Sequence, residues 1–198
     1  MSRDVLELLR AAGGYISGEK MAERLGVTRA AVWKKIAALR DAGYDISSAP
    51  RSGYVLRSAP DRLIETEISQ DLKTALVGRK VICYDAVDST NLVLKNLARE
   101  GAEDGTVVVA DSQGTGRGRM ERAFFSPPGK GIWVSILLRP TFLPQDAPKC
   151  TLMAAVAVAR AMEAFGLCAE IKWPNDILHD GRKLVGILTE MSAEMDRV

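Results

Sequence analysis

The sequence predicts an α+β protein with two domains, at residues 1–60 and 61–198. Residues 1–60 show helical apolar periodicity followed by two short strand patterns, whereas the rest mixes strand patterns with helices. A polar stretch containing proline, at 58–61, separates the two parts. Residues 1–57 hold ten Lys or Arg against six Asp or Glu, a net charge of +4, and the remainder has −2. This asymmetry indicates domains with different partners.

The composition is that of an ordinary globular protein, with 47% apolar and 26% charged residues. The first ten residues do not form a signal peptide pattern, and no apolar run approaches the roughly 20 residues of a membrane helix. The three cysteines are odd in number and lack metal-ligand spacing, which favours a reducing cytoplasm. His179 is the only histidine, which argues against a multi-histidine metal site.

Three short helices are predicted in the first domain. The first ends at the glycines at 13–14, and the second runs from about Gly18 to Gly26. Thr28 caps a third helix from Arg29 to about residue 42, so the last two helices form a helix-turn-helix. The expected core positions are Val5, Leu6, Leu8, Leu9, Met21, Ala22, Leu25, Ala30, Ala31, Ile36 and Leu39.

Two strands, at residues 44–47 and 53–56, follow the third helix and predict a wing with a basic tip. A winged helix-turn-helix with basic residues on its third helix indicates DNA binding. The alternative is a protein-interaction module whose charges are only solvated. A charge of +4 predicts weak, salt-sensitive DNA binding unless two copies act together. The candidate DNA-binding residues are Thr28, Arg29, Trp33, Lys34, Lys35 and Arg51.

In the second domain, a strand at 81–85 leads into the run DSTN at 88–91 and then a helix. This run can cap the helix and also present hydroxyl and amide groups to a ligand, and capping alone is the alternative. Strand patterns at 106–110 and 132–138 predict an antiparallel pair. A strongly apolar helix at 152–164 is expected to pack on a sheet.

Between these two strands lies the arginine loop, residues 113–122 (QGTGRGRMER). Its alternate glycines allow backbone conformations closed to other residues and a close approach to a ligand. Its three arginines are donors suited to phosphate or carboxylate. The loop therefore predicts an anion-binding segment, with a solvated surface loop as the alternative. It does not match the phosphate-loop pattern of nucleotide hydrolases.

Polar residues also follow the helix. The segment 171–177 (IKWPNDI) places Lys172 for phosphate and Asp176 for Mg²⁺ where a strand enters a turn. A hairpin turn is predicted at residues 180–181, before a return strand that extends to residue 191. In that strand Lys183 is a candidate positioned cation, and Gly186 allows close approach of a ligand.

Together these motifs, at residues 88–91, 113–122, 124–127 (FFSP), 172–176 and 182–188 (RKLVGIL), resemble those of biotin–protein ligases. With the winged domain, the chain resembles the bifunctional kind that is also the biotin operon repressor, from residue 17 to about 191. The resemblance implies a catalytic domain with a mixed sheet flanked by helices. It also implies formation of biotinyl-5′-AMP from biotin and ATP with Mg²⁺, and transfer of biotin to a lysine on a carboxylase carrier domain.

The resemblance further implies roles for individual residues. Lys183, Arg117 and Arg119 are the expected catalytic residues, and Asp176 is the expected metal ligand. Phe124 matches the aromatic residue that packs on adenine. Biotin is expected at Ser89, Thr90, Asn91, Gln113, Gly116, Arg117, Arg119, Lys183 and Gly186. ATP is expected at Arg117, Arg119, Arg122, Phe124, Lys172, Asn175, Asp176 and Lys183. The implied partners are operator DNA, the carrier domain and a second copy of the chain when biotinyl-AMP is bound.

The end of the sequence differs from the family pattern. In the family, further strands complete the catalytic sheet and a small barrel follows, whereas residues 192–198 here are polar. We therefore expect a catalytic domain that is incomplete at its C-terminus. Two alternatives stay open: a repressor that senses biotin or biotinyl-AMP without catalysis, and a lipoate-type ligase.

Overall fold

The computed structural model of this protein describes residues 2–70 and 72–192, except for the side chain of Glu121. The chain divides into two compact units, Met1–Arg62 and Leu63–Val198. None of the helices in the described ranges is long and apolar enough to cross a membrane. Of the polar residues 192–198, only Ser192 lies within the described part.

The first unit begins with three helices: α1 (Arg3–Ala12), α2 (Gly18–Leu25) and α3 (Arg29–Asp41). Thr28 Oγ1 accepts a hydrogen bond from the Ala31 backbone N–H at 3.2 Å, so the predicted cap is confirmed. The buried face of α3 consists of Val32, Ile36 and Leu39, which are spaced i, i+4, i+7.

One core prediction for α3 is wrong. Ala30 is exposed and Ala31 is only half-buried, because the inward stripe of α3 runs through Val32 instead. In the other two helices Leu8 and Leu25 are half-buried. The remaining predicted core positions, Val5, Leu6, Leu9, Met21, Ala22, Ile36 and Leu39, are buried.

The wing consists of β1 (Asp45–Ala49) and β2 (Gly53–Ser58), which pair antiparallel. Two backbone hydrogen bonds of 2.9 Å between Ile16 and Tyr54 extend this sheet by an isolated bridge. Gly53 has φ 99°, and a Cβ there would lie 2.1 Å from the Ile16 carbonyl oxygen. Only glycine therefore permits this close approach of the two backbones.

The second unit contains a three-stranded mixed sheet. Its strands are β3 (Val81–Tyr84), β4 (Val107–Ala110) and β5 (Trp133–Ile136), in the order β3-β4-β5. β3 runs parallel to β4, and β4 runs antiparallel to β5, as the sequence predicts for the latter pair. Two helices precede strands of this sheet, α4 (Glu65–Ser69) and α5 (Thr90–Arg99). All four residues of β4 are buried, so this strand is the centre of the sheet.

A second sheet follows helix α6 (Pro148–Ala164). Its strands β6 (Glu170–Lys172), β7 (Asp176–His179) and β8 (Arg182–Gly186) pair antiparallel in that order. Asp180 and Gly181 have φ of 50° and 71°, which confirms the predicted hairpin turn between β7 and β8. β8 ends at Gly186, so the return strand is shorter than the sequence predicts.

The prediction that this helix packs on a sheet is confirmed by its contact with β7, but most of the α6 surface is not buried. Only Ala155 and Ala159 are buried, in a cluster with Ile177 of β7. Met153 and Val156 are exposed. The small alanine side chains allow close approach on one side, and a sheet of three strands covers only that side of the helix.

Candidate functional site

The arginine loop is a paired hairpin rather than an open loop. Isolated bridges join Gln113 to Ser126 and Arg117 to Ala123. Between them, the Phe124 N–H donates to the Gly116 carbonyl at 2.7 Å. A Cβ on Gly116 would lie 2.3 Å from the Phe124 carbonyl oxygen, so the pairing requires glycine at this position.

At the tip of this hairpin is a 3₁₀ turn, Arg119–Glu121. Met120 within the turn has φ 57°, in the left-handed region, and its side chain is exposed. The hairpin therefore presents Arg119 at its far end, while Gln113 and Ser126 lie at its base.

A cluster of hydrogen-bonded polar side chains forms around that base. Gln113 Oε1 accepts from the Thr90 backbone N–H at 2.9 Å and from Thr90 Oγ1 at 3.1 Å. Gln113 Nε2 donates to Ser126 Oγ at 3.0 Å. Ser135 Oγ, from the centre of β5, lies 2.8 Å from Thr90 Oγ1 and also donates to Asn91 Oδ1. Buried hydroxyl and amide groups of this kind can orient a polar ligand.

Helix capping by the DSTN run is confirmed, and the ligand role of the run stays a prediction. Ser89 is the N-cap of α5, and its side chain accepts from the Leu92 N–H at 3.5 Å. Ser89 and Thr90 are buried, at 3% and 4% exposure. Thr90 and Asn91 join the polar cluster, so capping alone does not account for the run.

Lys183 has both a carboxylate and an aromatic ring close to its ammonium group. Lys183 Nζ lies 2.8 Å from Asp176 Oδ1 and 5.7 Å from the centre of the Phe124 ring. Asp176 Oδ1 is buried and accepts no aligned hydrogen bond from the described residues, so the contact is mainly electrostatic. A Cβ on Gly186 would lie 2.9 Å from Lys183 Nζ and 3.3 Å from Phe124 Cε2. Gly186 therefore leaves the space in which the ammonium sits.

Asn175 connects the tip of the hairpin to the segment after β8. Arg119 Nη1 donates to Asn175 Oδ1 at 2.8 Å. Asn175 Nδ2 donates to the Ile187 carbonyl at 3.2 Å, and the Ile187 N–H donates to the Asn175 carbonyl at 2.8 Å. Because its nitrogen faces a carbonyl, the Asn175 side chain can only present its oxygen to Arg119. Asn175 is neutral, so Arg119 keeps its charge for an anion.

The other predicted cations are exposed, although Lys172 is the register partner of Asp176 across β6 and β7. Arg122 and Lys172 are exposed, at the base of the 3₁₀ turn and at the end of β6. Arg117 is exposed and lines a small cavity of about 50 Å³ together with Ser89, Leu92, Lys95 and Glu190. The phosphate roles of Arg117, Arg122 and Lys172 stay predictions.

A larger open groove of about 680 Å³ adjoins the polar cluster through Gln113 and Ser126. Phe125, which is 85% exposed, lies on its wall. Phe124 instead turns inward, where it makes an edge-to-face contact with Trp133 at a centroid distance of 6.0 Å. Of the two adjacent aromatic residues, only Phe124 thus contacts the elements around Lys183.

In the first unit, the predicted DNA-binding residues differ in their surroundings. Arg29, Lys34 and Trp33 are exposed on α3, Trp33 at 62%. Arg51 is exposed at the wing turn, with φ 64°. These four side chains are accessible to a ligand. Thr28 is also exposed, and its hydroxyl caps the helix.

Lys35 is half-buried and forms an ion pair with Asp4 of α1. Burial alone would raise the pKa of Asp4, but hydrogen bonds from Lys35 and the Val5 N–H outweigh it and lower that pKa. The charge of Lys35 is thus already neutralised within the unit. The DNA contact of Lys35 therefore stays a prediction.

Sequence reasoning missed three residues of the second-unit site. Ser126 and Ser135 complete the polar cluster, and Glu190 accepts a hydrogen bond from Asn91 Nδ2 at 2.9 Å. The signal for Ser135 was a polar residue within an otherwise apolar strand pattern. Nothing local marks Glu190, because its partner is 99 residues away in the sequence.

Comparison with known proteins adds to these observations. Residues 83–196 match the biotin/lipoate A/B protein ligase family, and residues 2–55 match an HTH domain. The chain is 48% identical over 200 residues to the bifunctional ligase/repressor BirA of Bacillus subtilis, covering all of this chain and 62% of that protein. It is 35% identical over 187 residues to BirA of Escherichia coli, covering 94% of this chain and 57% of that protein. The chain thus spans about three fifths of the length of these relatives.

A crystal structure of the biotin protein ligase from Leishmania major in complex with biotin has a similar fold, with a TM-score of 0.50 at 24% identity. The similarity covers 58% of this chain and 52% of that chain. The family match extends over more than half of the present sequence and includes both sheets of the second unit except the first two residues of β3. The chain belongs to the biotin/lipoate A/B protein ligase family.

Proposed function

We propose that this chain activates biotin with ATP to form biotinyl-5′-AMP and transfers the biotinyl group to a lysine of a carboxylase carrier domain. We also propose that its first unit binds operator DNA as a biotin-responsive repressor. The observation that carries the ligase proposal is the meeting of the arginine hairpin with the Lys183 strand, through Phe124 and through the Arg119–Asn175 contact. The named relatives that combine both activities support the same conclusion.

The first reaction step joins two anions. The biotin carboxylate oxygen forms a bond to the α-phosphorus of ATP, and the bond to pyrophosphate breaks. Lys183 and Arg119 would supply the positive charge that offsets this repulsion and stabilises the charge that develops in the transition state. Lys183 has donors to offer, because its ammonium carries three N–H groups and Asp176 Oδ1 is a single acceptor.

The polar cluster at the base of the hairpin would hold the biotin ring, and Phe124 would pack on the adenine. In the second step the acceptor lysine attacks the acyl carbonyl, and AMP leaves as the mixed anhydride breaks. The hairpin would shield this reactive anhydride from water until the carrier domain arrives. The contact of Arg119 with the anchored Asn175 supports this role, since it holds the hairpin tip to the segment after β8.

Asp176 would be the protein ligand of Mg²⁺. The described part of the chain contains no group of three His, Cys, Asp or Glu residues able to hold a metal by itself. A single carboxylate fits an ion that arrives with ATP, because Mg²⁺ in such sites takes one or two carboxylates and completes its shell with phosphate oxygens and water. When bound, the ion would neutralise phosphate charge.

DNA binding is assigned to the exposed face formed by Arg29, Trp33 and Lys34 of α3, together with Arg51 of the wing. Such a face can place α3 in a major groove and the wing on the phosphate backbone. Because the unit carries a modest positive charge, two copies are needed for useful affinity, so we propose a dimer that forms when biotinyl-AMP is bound. The three free cysteines suit a cytoplasmic location, which is part of the proposal.

An ATP–pyrophosphate exchange assay with biotin, lipoate and octanoate tests the ligase proposal. Exchange that depends on biotin is the expected result. Exchange with lipoate or octanoate instead would identify a lipoate-type ligase. Binding of biotin or biotinyl-AMP without any exchange would leave a sensor that represses transcription without catalysis.

A further inference from the structure

Glu190 belongs to none of the motifs that predict the site, yet it contacts one of the site residues. Asn91 Nδ2 donates to Glu190 Oε2 at 2.9 Å. A carboxylate has no proton to donate, so only the nitrogen of the Asn91 amide can face it. The hydrogen bond therefore fixes which way the Asn91 amide points, although Glu190 itself is exposed.

The orientation of Asn91 in turn affects Ser135. With Asn91 Nδ2 on Glu190, Asn91 Oδ1 faces Ser135 Oγ and accepts a hydrogen bond from it. If the amide were rotated by a half turn, its nitrogen would instead donate to Ser135 Oγ. Glu190 thus decides whether Ser135 meets an acceptor or a donor at Asn91.

The opposite end of the cluster is fixed in a similar way. Gln113 Nε2 donates to Ser126 Oγ, so Gln113 Oε1 faces Thr90 and accepts from its backbone N–H and its hydroxyl. The single hydroxyl proton of Thr90 is therefore used on Gln113. Thr90 Oγ1 can only accept from Ser135 Oγ, which lies 2.8 Å away.

Ser135 Oγ therefore has acceptors on both sides and receives no proton from another residue in the described part of the chain. The residue is 6% exposed, so water competes little for its lone pairs. An N–H group of a ligand in this cluster would satisfy them. Biotin carries two such groups in its cyclic urea.

We propose that Glu190 is a positioning residue that keeps Ser135 Oγ free as the acceptor for an N–H of the biotin urea ring. It acts through Asn91 and does not touch the reacting atoms. The inference rests on the proposed biotin-activating function and specifies how that site would recognise its ligand. Removal of Glu190 lets the Asn91 amide rotate and donate to Ser135, which occupies one of the two lone pairs of Ser135 Oγ and so weakens its binding of a biotin N–H.

The test is a double-mutant cycle on the full 198-residue chain. Glu190→Ala, Asn91→Ala and the double variant are compared with the unaltered chain for biotin KM and kcat in pyrophosphate exchange, and for biotin affinity by calorimetry. Glu163→Gln, which removes an exposed carboxylate of α6, is the matched control. Unfolding midpoints are measured for every variant.

Glu190→Ala is expected to raise the biotin KM and Kd about tenfold, the scale of one charge-assisted hydrogen bond, with kcat changed by less than about twofold. In the Asn91→Ala background the same substitution should add nothing, since its effect passes through Asn91. An equal effect in both backgrounds, or no effect in either, overturns the positioning role. If the unaltered chain binds no biotin, the proposed function and this inference both fail. If the unaltered chain binds biotin but Glu190→Ala has no effect, only this inference fails.

Discussion

The substitution Gly186→Ala should move the Lys183 ammonium while leaving the stability of the fold nearly unchanged. The added Cβ would lie 2.9 Å from both Cε and Nζ of Lys183. Ordinary contacts between such atoms are about 3.5–4.0 Å, so the ammonium must move by about 1 Å. The φ of Gly186 lies outside the left-handed region, and the end of a lysine side chain yields easily. We therefore expect a loss in the free energy of unfolding below about 1 kcal/mol.

The chemistry should suffer far more. Displacing a charged group by about 1 Å from its working position can cost about 100-fold in rate, so we expect that loss in biotin-dependent pyrophosphate exchange. Gly181→Ala is the matched control, because Gly181 has φ 71° and no neighbour within 4 Å of an added Cβ. This control should lose about 1 kcal/mol of stability through backbone strain and keep its exchange rate. An exchange rate in Gly186→Ala equal to that of the unaltered chain would refute the reasoning. So would a loss of exchange rate in both variants in proportion to their loss in the free energy of unfolding.

Further changes test the other parts of the account. Lys183→Ala should abolish adenylation while the chain still folds, with a lower unfolding midpoint because the buried Asp176 oxygen loses its counter-charge. Near-normal pyrophosphate exchange would refute the role of this lysine. Arg119→Gly and Asn175→Ala should both release biotinyl-AMP faster, because each removes the contact that holds the hairpin tip; unchanged retention of the adenylate in a filtration assay would argue against a shielding hairpin. Arg139→Ala should cost about 1–2 kcal/mol of stability in chemical denaturation, while the biotin KM stays constant, since Arg139 donates to the carbonyls of Ala98 in α5 and Ala102 just after it. In Arg51→Ala, the slope of the logarithm of the DNA-binding constant against the logarithm of the salt concentration should become smaller by about one, because one phosphate contact of the wing is lost. An unchanged slope would show that the wing does not contact the DNA.

Features set by local chemistry could be predicted from the sequence. Thr28 caps α3 because its hydroxyl reaches a backbone N–H three residues on. Asp180 and Gly181 form the turn of the β7–β8 hairpin because both tolerate positive φ. The mixed first sheet agrees with what the family resemblance implied, and the antiparallel pairing of β4 with β5 agrees with the strand patterns on either side of the arginine loop.

Contacts between distant residues could not be predicted in the same way. Lys35 has the exposed spacing of a DNA contact, but Asp4 of another helix neutralises it. The alternate glycines of the arginine loop indicate flexibility, whereas Gly116 in fact permits a tight pairing with the Phe124 backbone. Glu190 lies in no motif, and only the folded chain brings it to Asn91.

The account depends above all on the arginine hairpin and Lys183 neutralising the two anionic substrates together. A crystal structure of this chain with biotin and a non-reactive ATP analogue tests that most directly. We predict Lys183 Nζ and the Arg119 guanidinium within about 3 Å of carboxylate or α-phosphate oxygens, with Arg119 keeping its hydrogen bond to Asn175 through another of its N–H groups. A ligand-filled site in which the hairpin points into solvent, and Lys183 contacts only Asp176, would contradict it.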